Sequence, residues 1–246
     1  MKLLNGATLR TLQFGSMVLA TTALVACGGG SDSGSSPGAT VSGTAAVGAA
    51  MANASIVLTC KNGSGSATAN SNGAYSATFN FDGPCAITAS SGAIALHSFA
   101  AGAGTYNVTP LTELLLSYLA GQLGTTVSGL LSGISSNTAF QSALSNSTVI
   151  ANAQAAVAQL IKTQYGITLS SSSFLTVSFT PGQPGADADL DSLQTTGAIT
   201  VNGQPAASLT AAVTAAGAAA PISGGSNGGG TTGGTGGSGG TGTTTK

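Results

Sequence analysis

The spacing of apolar residues changes at Thr109-Pro110, and that change constrains the fold more than any other feature of the chain. Before it, short runs at residues 55–60, 74–79 and 85–89 are separated by the turn signals Asn62-Gly63, Asn72-Gly73 and Asp82-Gly83-Pro84. Within the second run Tyr75, Ala77 and Phe79 fall on one face and Ser76 and Thr78 on the other, the period of two that a half-buried strand requires. After it, Thr109 supplies a helix N-cap, Pro110 suits the first helical position and Glu113 places an acid in the first turn. Leu111, Leu114, Leu115, Tyr118, Leu119 and Leu123 then recur at helical spacing. A second stripe runs through Val127, Leu130, Leu131 and Ile134. A third runs through Val149, Ile150, Ala153, Val157, Leu160 and Ile161, closing on Lys162 and a C-cap at Gly166. Three amphipathic helices of this kind pack into a small bundle. Further along, Leu175, Val177 and Phe179 alternate as a short strand does. Ile199 and Val201 do the same before Asn202-Gly203, and Leu209 and Val213 mark a final Ala-rich helix. The fold class expected is α+β: a small β-sandwich over residues 40–107, then a mainly helical domain over 108–222.

The first 26 residues have the three parts of a secretory signal. Lys2 and Arg10 make a positive start, residues 14–26 form an apolar core, and small residues surround the processing point. A core of 13 residues falls short of the roughly 20 that a helix needs to cross a bilayer. The core therefore reads as a signal, and no other stretch is long and apolar enough to span. Its end, Leu24-Val25-Ala26-Cys27, resembles the lipobox of bacterial lipoproteins. The resemblance implies that Cys27 takes a thioether-linked diacylglycerol, becomes the mature N-terminus and is then acylated. One acyl chain holds a protein on a membrane reversibly and two or more anchor it stably, at about 0.8 kcal/mol per buried methylene. In this class Gly28, where an Asp would retain the protein elsewhere, implies export to the outer membrane. The alternative is an ordinary signal followed by a chance cysteine. Residues 27–39 are then the lipidated Cys and a flexible Gly/Ser tether reaching roughly 20 Å from the bilayer. Residues 223–246, nearly all Gly, Thr and Ser, form a disordered tail.

Beyond the signal there are three basic side chains, Lys61, Lys162 and Lys246, against six acidic ones. A chain so poor in positive charge has no footprint for nucleic acid or for electrostatic attachment to anionic lipid. Small residues dominate and there is no Trp, so the core gains modest free energy per residue and a covalent link helps. Cys60 and Cys85 are the free pair if Cys27 is lipidated, and an oxidising periplasm favours a disulfide between them. The competing role for two cysteines is metal ligation, although the chain has a single His, distant in sequence.

A second resemblance lies in the β half. Val41-x-Gly43, the run "AAMANASIVL" at 49–58, Lys61-Asn62-Gly63, Ala67-Thr68-Ala69 and Asn72-Gly73-Ala74-Tyr75 are similar to the pattern of carboxypeptidase regulatory-like domains, small transthyretin-like β-sandwiches. Ala stands where that pattern has proline before Asn53-Ala54, and Asn72 where Asp is common. The resemblance covers about 40 residues and implies a fold without an activity, since such modules are appended to many extracellular proteins. The junction "NVTPLTELL" at 107–115 and the acidic helix start "ADADLDSL" at 186–193 resemble uncharacterised proteobacterial envelope lipoproteins, which adds architecture and location only.

Candidate chemistry is sparse. Asp187, Asp189 and Asp191 have the D-x-D-x-D opening of a calcium loop, yet Ser192 occupies the place of its Gly and Ala198 that of its bidentate Glu. Carboxylates at a helix N-terminus are favoured by the dipole without any metal. His97, in "IALHSF", could serve a Ser/His/Asp hydrolase, but no G-x-S-x-G elbow accompanies it, and an exposed or edge-strand His is the plainer reading. Glu113 has no partner visible in the sequence, and the helix dipole accounts for it. The Gly-rich tail follows no strand and opens no helix, so it is no phosphate loop. Four N-glycosylation sequons, at Asn53, Asn62, Asn107 and Asn146, are expected by chance in so Asn/Ser/Thr-rich a chain. The expectation is a lipid-anchored envelope protein with a non-catalytic binding or structural role toward a protein or glycan partner. It carries no catalytic residues, cofactor or metal. The alternatives are an envelope hydrolase with an unrecognised site, and a subunit whose helical stripe completes a larger assembly.

Overall fold

The change of period at Thr109-Pro110 is the boundary between strands and helices. The structure, a computed structural model, describes residues 38–222. Cys27, the signal segment, most of the tether and the tail over 223–246 lie outside the described residues. Among the described residues the strands are β1 Ala39–Thr44, β2 Ser55–Cys60, β3 Ser64–Thr68, β4 Ala74–Phe79, β5 Cys85–Ser91, β6 Ile94–Ala100 and β7 Gly104–Thr105. The helices are α1 Pro110–Gln122, α2 Val127–Gly133, α3 Thr138–Ser145, α4 Ser147–Tyr165, α5 Ala186–Thr195 and α6 Ala207–Ala218. The chain is α+β.

The strands form two sheets, one ordered β4-β1-β7 and one ordered β3-β2-β5-β6. Pairing is antiparallel throughout except for the short parallel contact of β1 with β7. Alternation appears as the sequence reading requires: Ile56, Leu58 and Cys60 of β2 are buried while Ser55, Val57 and Thr59 are exposed, and Tyr75 and Ala77 of β4 face inward. Gly43 of β1 sits opposite Tyr75, and a Cβ there would lie 1.9 Å from the carbonyl oxygen of Tyr106, so no side chain fits. That carbonyl accepts the Tyr75 hydroxyl at 2.5 Å, and burial pushes the phenol well above its ordinary pKa. Cys60 and Cys85 are register partners on β2 and β5, and their sulfurs are bonded at 1.96 Å.

Helix α1 lies at the centre of the second half. Its stripe was expected to be one-sided, but eleven of its thirteen residues are buried, because β6, α2, α4 and α6 all pack against it. The core is continuous from Val41, Ile56, Ile87 and Leu96 of the sheets to Leu114, Leu115 and Leu119 of α1 and Leu209 and Val213 of α6. The contact of α1 with α6 is close enough to exclude side chains. A Cβ on Gly121 would lie 2.2 Å from Thr214 O, and one on Gly217 2.1 Å from Tyr118 O. Gly166 ends α4 in the left-handed conformation, φ +73°, its N–H donating to Lys162 O.

Three expectations are corrected. A fourth helix, α3, stands between the second and third apolar stripes, started by Asn137, whose side chain accepts from the N–H groups of Ala139 and Phe140. Residues 175–179 form no strand: Thr176 and Val177 N–H both donate to Ser173 O, closing a turn that buries Phe174 and Leu175. The turn is held by Asn107, fully buried, whose Nδ2 donates to Phe174 O at 3.1 Å and Val177 O at 2.7 Å. Asn107 Oδ1 accepts from Thr44 N–H, and the Asn107 N–H donates to Leu175 O. Leu175 N–H in turn donates to Gln154 Oε1. A segment whose backbone groups are satisfied this way has no use for a ladder. Ile199 makes a single bridge with Pro205 and is buried, whereas Val201 is 99 % exposed at the tip of the turn.

Candidate functional site

Strand β6 is an edge of its sheet, and an edge presents backbone groups that must find partners. On β6 they are met by side chains. Thr112 Oγ1, 2.8 Å from His97 O, donates its hydrogen either to that oxygen or to Thr109 O, and accepts from Thr109 N–H at 3.0 Å. Glu113 Oε1 accepts the His97 N–H at 2.6 Å, and Gln204 Nε2 donates to Ala95 O at 2.8 Å. The first turn of α1 thus lies along the strand. Thr112 and Glu113 are adjacent in the helix and reach adjacent backbone groups of one residue.

The same Glu113 oxygen lies 2.7 Å from His97 Nδ1. The His97 side chain is 34 % exposed and that of Glu113 13 %. A proton on Nδ1 makes this contact a hydrogen bond in both the neutral and the charged ring, and in the charged ring it is charge-assisted. The hydrogen bond to Glu113, reinforced by its charge and opposed by partial burial, raises the His97 pKa above the ordinary histidine value. Chemically, a carboxylate on Nδ1 fixes the tautomer and leaves Nε2 as the proton-exchanging atom. Among the described residues Nε2 has no hydrogen-bond partner, so no hydroxyl or thiol stands where a nucleophile would be activated.

The acidic triplet opens α5, where Asp187 and Asp189 stand in the first turn. Its carboxylates diverge. Asp187, 3 % exposed, accepts the Gly182 N–H at 2.6 Å through Oδ2, and its Oδ1 has no partner. Burial raises its pKa, opposed by the Gly182 bond and aided by the charge of Asp191. Asp189 Oδ2 accepts from the N–H and hydroxyl of Ser170 at 2.8 and 2.7 Å. Two of the three therefore tether the segment between α4 and α5, and no group of three or more His, Cys, Asp or Glu is arranged to hold a metal ion among the described residues. An open groove of about 260 Å³ lies between α4 and residues 168–172, and Lys162 is its charged lining residue.

Of the residues singled out in the sequence, His97 and Glu113 are brought together, Cys60 is bonded to Cys85, the Asp triplet is not gathered around a common point, and Cys27 lies outside the described residues. Sequence reasoning missed the pairing of His97 with Glu113. They stand 16 positions apart in the sequence, across strand, short strand and helix start, and only the packing of α1 on β6 closes that distance. It missed Asn107 as well. Comparison with models of protein families, with curated proteins and with solved structures gives no match.

Proposed function

We propose that this chain is a lipid-anchored outer-membrane protein with a non-catalytic binding or structural role, displaying its β and helical parts to a protein or glycan partner in the bacterial envelope. The observation that carries the non-catalytic reading is the geometry at Glu113. Its carboxylate is engaged by the backbone N–H of His97 as well as by the imidazole, which is how a side chain seals a sheet edge. The anchor rests on the Leu24-Val25-Ala26-Cys27 stretch at the end of a complete signal. Two sheets with shared core rows support reading the β part as a sandwich of the transthyretin-like kind. So does the meeting of Gly43, from the V-x-G stretch, with Tyr75, from the N-G-x-Y stretch, as register partners. The test is intact mass and membrane fractionation of the detergent-extracted protein beside Cys27→Ala. A chain beginning at Cys27 plus diacylglycerol and an acyl chain, in the outer-membrane fraction, is expected; an unlipidated soluble chain rejects the anchor. Co-purification from detergent extracts then identifies the protein partner or the larger assembly.

A second reading, an envelope hydrolase, is favoured by one observation, the carboxylate on His97 Nδ1. Turnover of esters, peptides or glycosides that His97→Ala and Glu113→Gln both abolish would establish it. Absence of turnover in the unaltered protein leaves the pair as an edge seal.

A further inference from the structure

Among the described residues three Asn-Gly pairs stand at turns, Asn62-Gly63, Asn72-Gly73 and Asn202-Gly203, and they differ in what holds the glycine amide. Gly73 N–H donates to Asn70 O at 3.0 Å and Gly203 N–H to Thr200 O at 2.9 Å. Gly63 joins the β2–β3 hairpin through its carbonyl alone, accepting from Cys60 N–H at 2.9 Å, and among the described residues its own N–H has no acceptor. Asn62 is exposed, and its side-chain amide donates to the Asp82 carboxylate, while Lys61 N–H donates to Asp82 O. The hairpin that carries this pair adjoins the Cys60–Cys85 link.

We propose that Asn62 is a site of covalent modification, deamidating through a cyclic imide, and that Asn72-Gly73 and Asn202-Gly203 are protected by their turn hydrogen bonds. Hydroxide takes the Gly63 amide proton. The amidate nitrogen forms a bond to Asn62 Cγ, the Cγ–Nδ2 bond breaks, and ammonia leaves with a proton from water. Water then opens the ring at either carbonyl, giving aspartate or isoaspartate with no change of oxidation state. Reaction requires the glycine nitrogen to be free and unhindered. At Gly73 and Gly203 that nitrogen is committed to a carbonyl, and at Gly63 neither a hydrogen bond nor a Cβ obstructs it. The product replaces a donor to Asp82 with a second carboxylate, so a hydrogen bond becomes a like-charge contact.

The experiment incubates the folded, oxidised protein in mildly alkaline water enriched in heavy oxygen and follows the three sites by peptide mapping. A net hydrogen bond is worth up to about tenfold in an opening equilibrium, so Asn62 is expected to take up label about ten times faster than Asn72 and Asn202. In reduced, denatured chain the three rates are expected to converge, which assigns the difference to the fold. Label appearing at Asn72 or Asn202 as fast as at Asn62 in folded protein overturns the proposal. So does an Asn62 that stays unlabelled, or a difference that persists unchanged in the denatured chain. Asn62→Gln confirms the peptide assignment by removing the fast site.

Discussion

At the scale of residues, His97 is the only histidine in the chain, so one imidazole signal reports its state without ambiguity. Its pKa is raised in the folded protein, chiefly by the hydrogen bond to Glu113. Elements packed on β6 bring no other charged group to it: β5 carries none, and α1 carries only Glu113. A raised folded pKa means that the pair stabilises the fold fully below the unfolded value of about 6.5, and that this contribution is lost as pH rises through the folded value. Denaturation midpoints should therefore fall from mildly acidic to mildly alkaline pH. His97→Gln should flatten that slope, and an NMR titration of the imidazole should give a midpoint above 6.5 that drops in Glu113→Gln. An unshifted midpoint would show that the short contact with Glu113 carries no electrostatic weight. The residue types were legible in sequence and their relation was not, since a helix dipole accounts for Glu113 as well as any partner does.

At the scale of elements, boundaries with their own chemical punctuation were read correctly. Thr109-Pro110 starts α1, Lys162 with Gly166 ends α4, and the strands β2 and β4 fall where the short runs between turn signals placed them. Where apolar alternation had no supporting turn chemistry, at 175–179, tertiary anchors decided instead: Asn107 and Gln154 supply the partners that a neighbouring strand would have offered. The sequon at Asn107 is thereby closed in the folded chain, its amide being buried and engaged. The two glycines between α1 and α6 were likewise silent in sequence, because a small residue in an apolar stripe does not announce what approaches it. Gly217→Ala places a methyl group 2.1 Å from Tyr118 O. Overpacking of that kind should outweigh the gain of about 1 kcal/mol in helix propensity and lower stability by about 2 kcal/mol net. Urea denaturation reads the change, and an Ala variant as stable as the parent would mean that the helices part without cost.

At the scale of the whole molecule, a single core runs through both sheets and the helices; although small residues dominate the composition, Leu and Ile make up much of this core, and the Cys60–Cys85 bond lies at one end of the inner strand pair β2–β5. Closing 25 residues should contribute about 3 to 4 kcal/mol by restricting the unfolded chain. Reduction, or the double change Cys60→Ser with Cys85→Ser, should lower the urea midpoint by an amount in that range with the native circular dichroism retained in the absence of denaturant. A change under about 1 kcal/mol would place the stability in the core alone. The sequence by itself determined that strands precede helices, with the change at Thr109-Pro110, together with the scarcity of charge and the two cysteines, because period, turn chemistry and composition are local or additive properties. Only the tertiary structure decided that α1 is buried on nearly every side, that the edge of β6 is sealed from α1 and that Asn107 organises a distant turn. Each of these depends on contacts between residues far apart in the chain, whose formation no local pattern encodes.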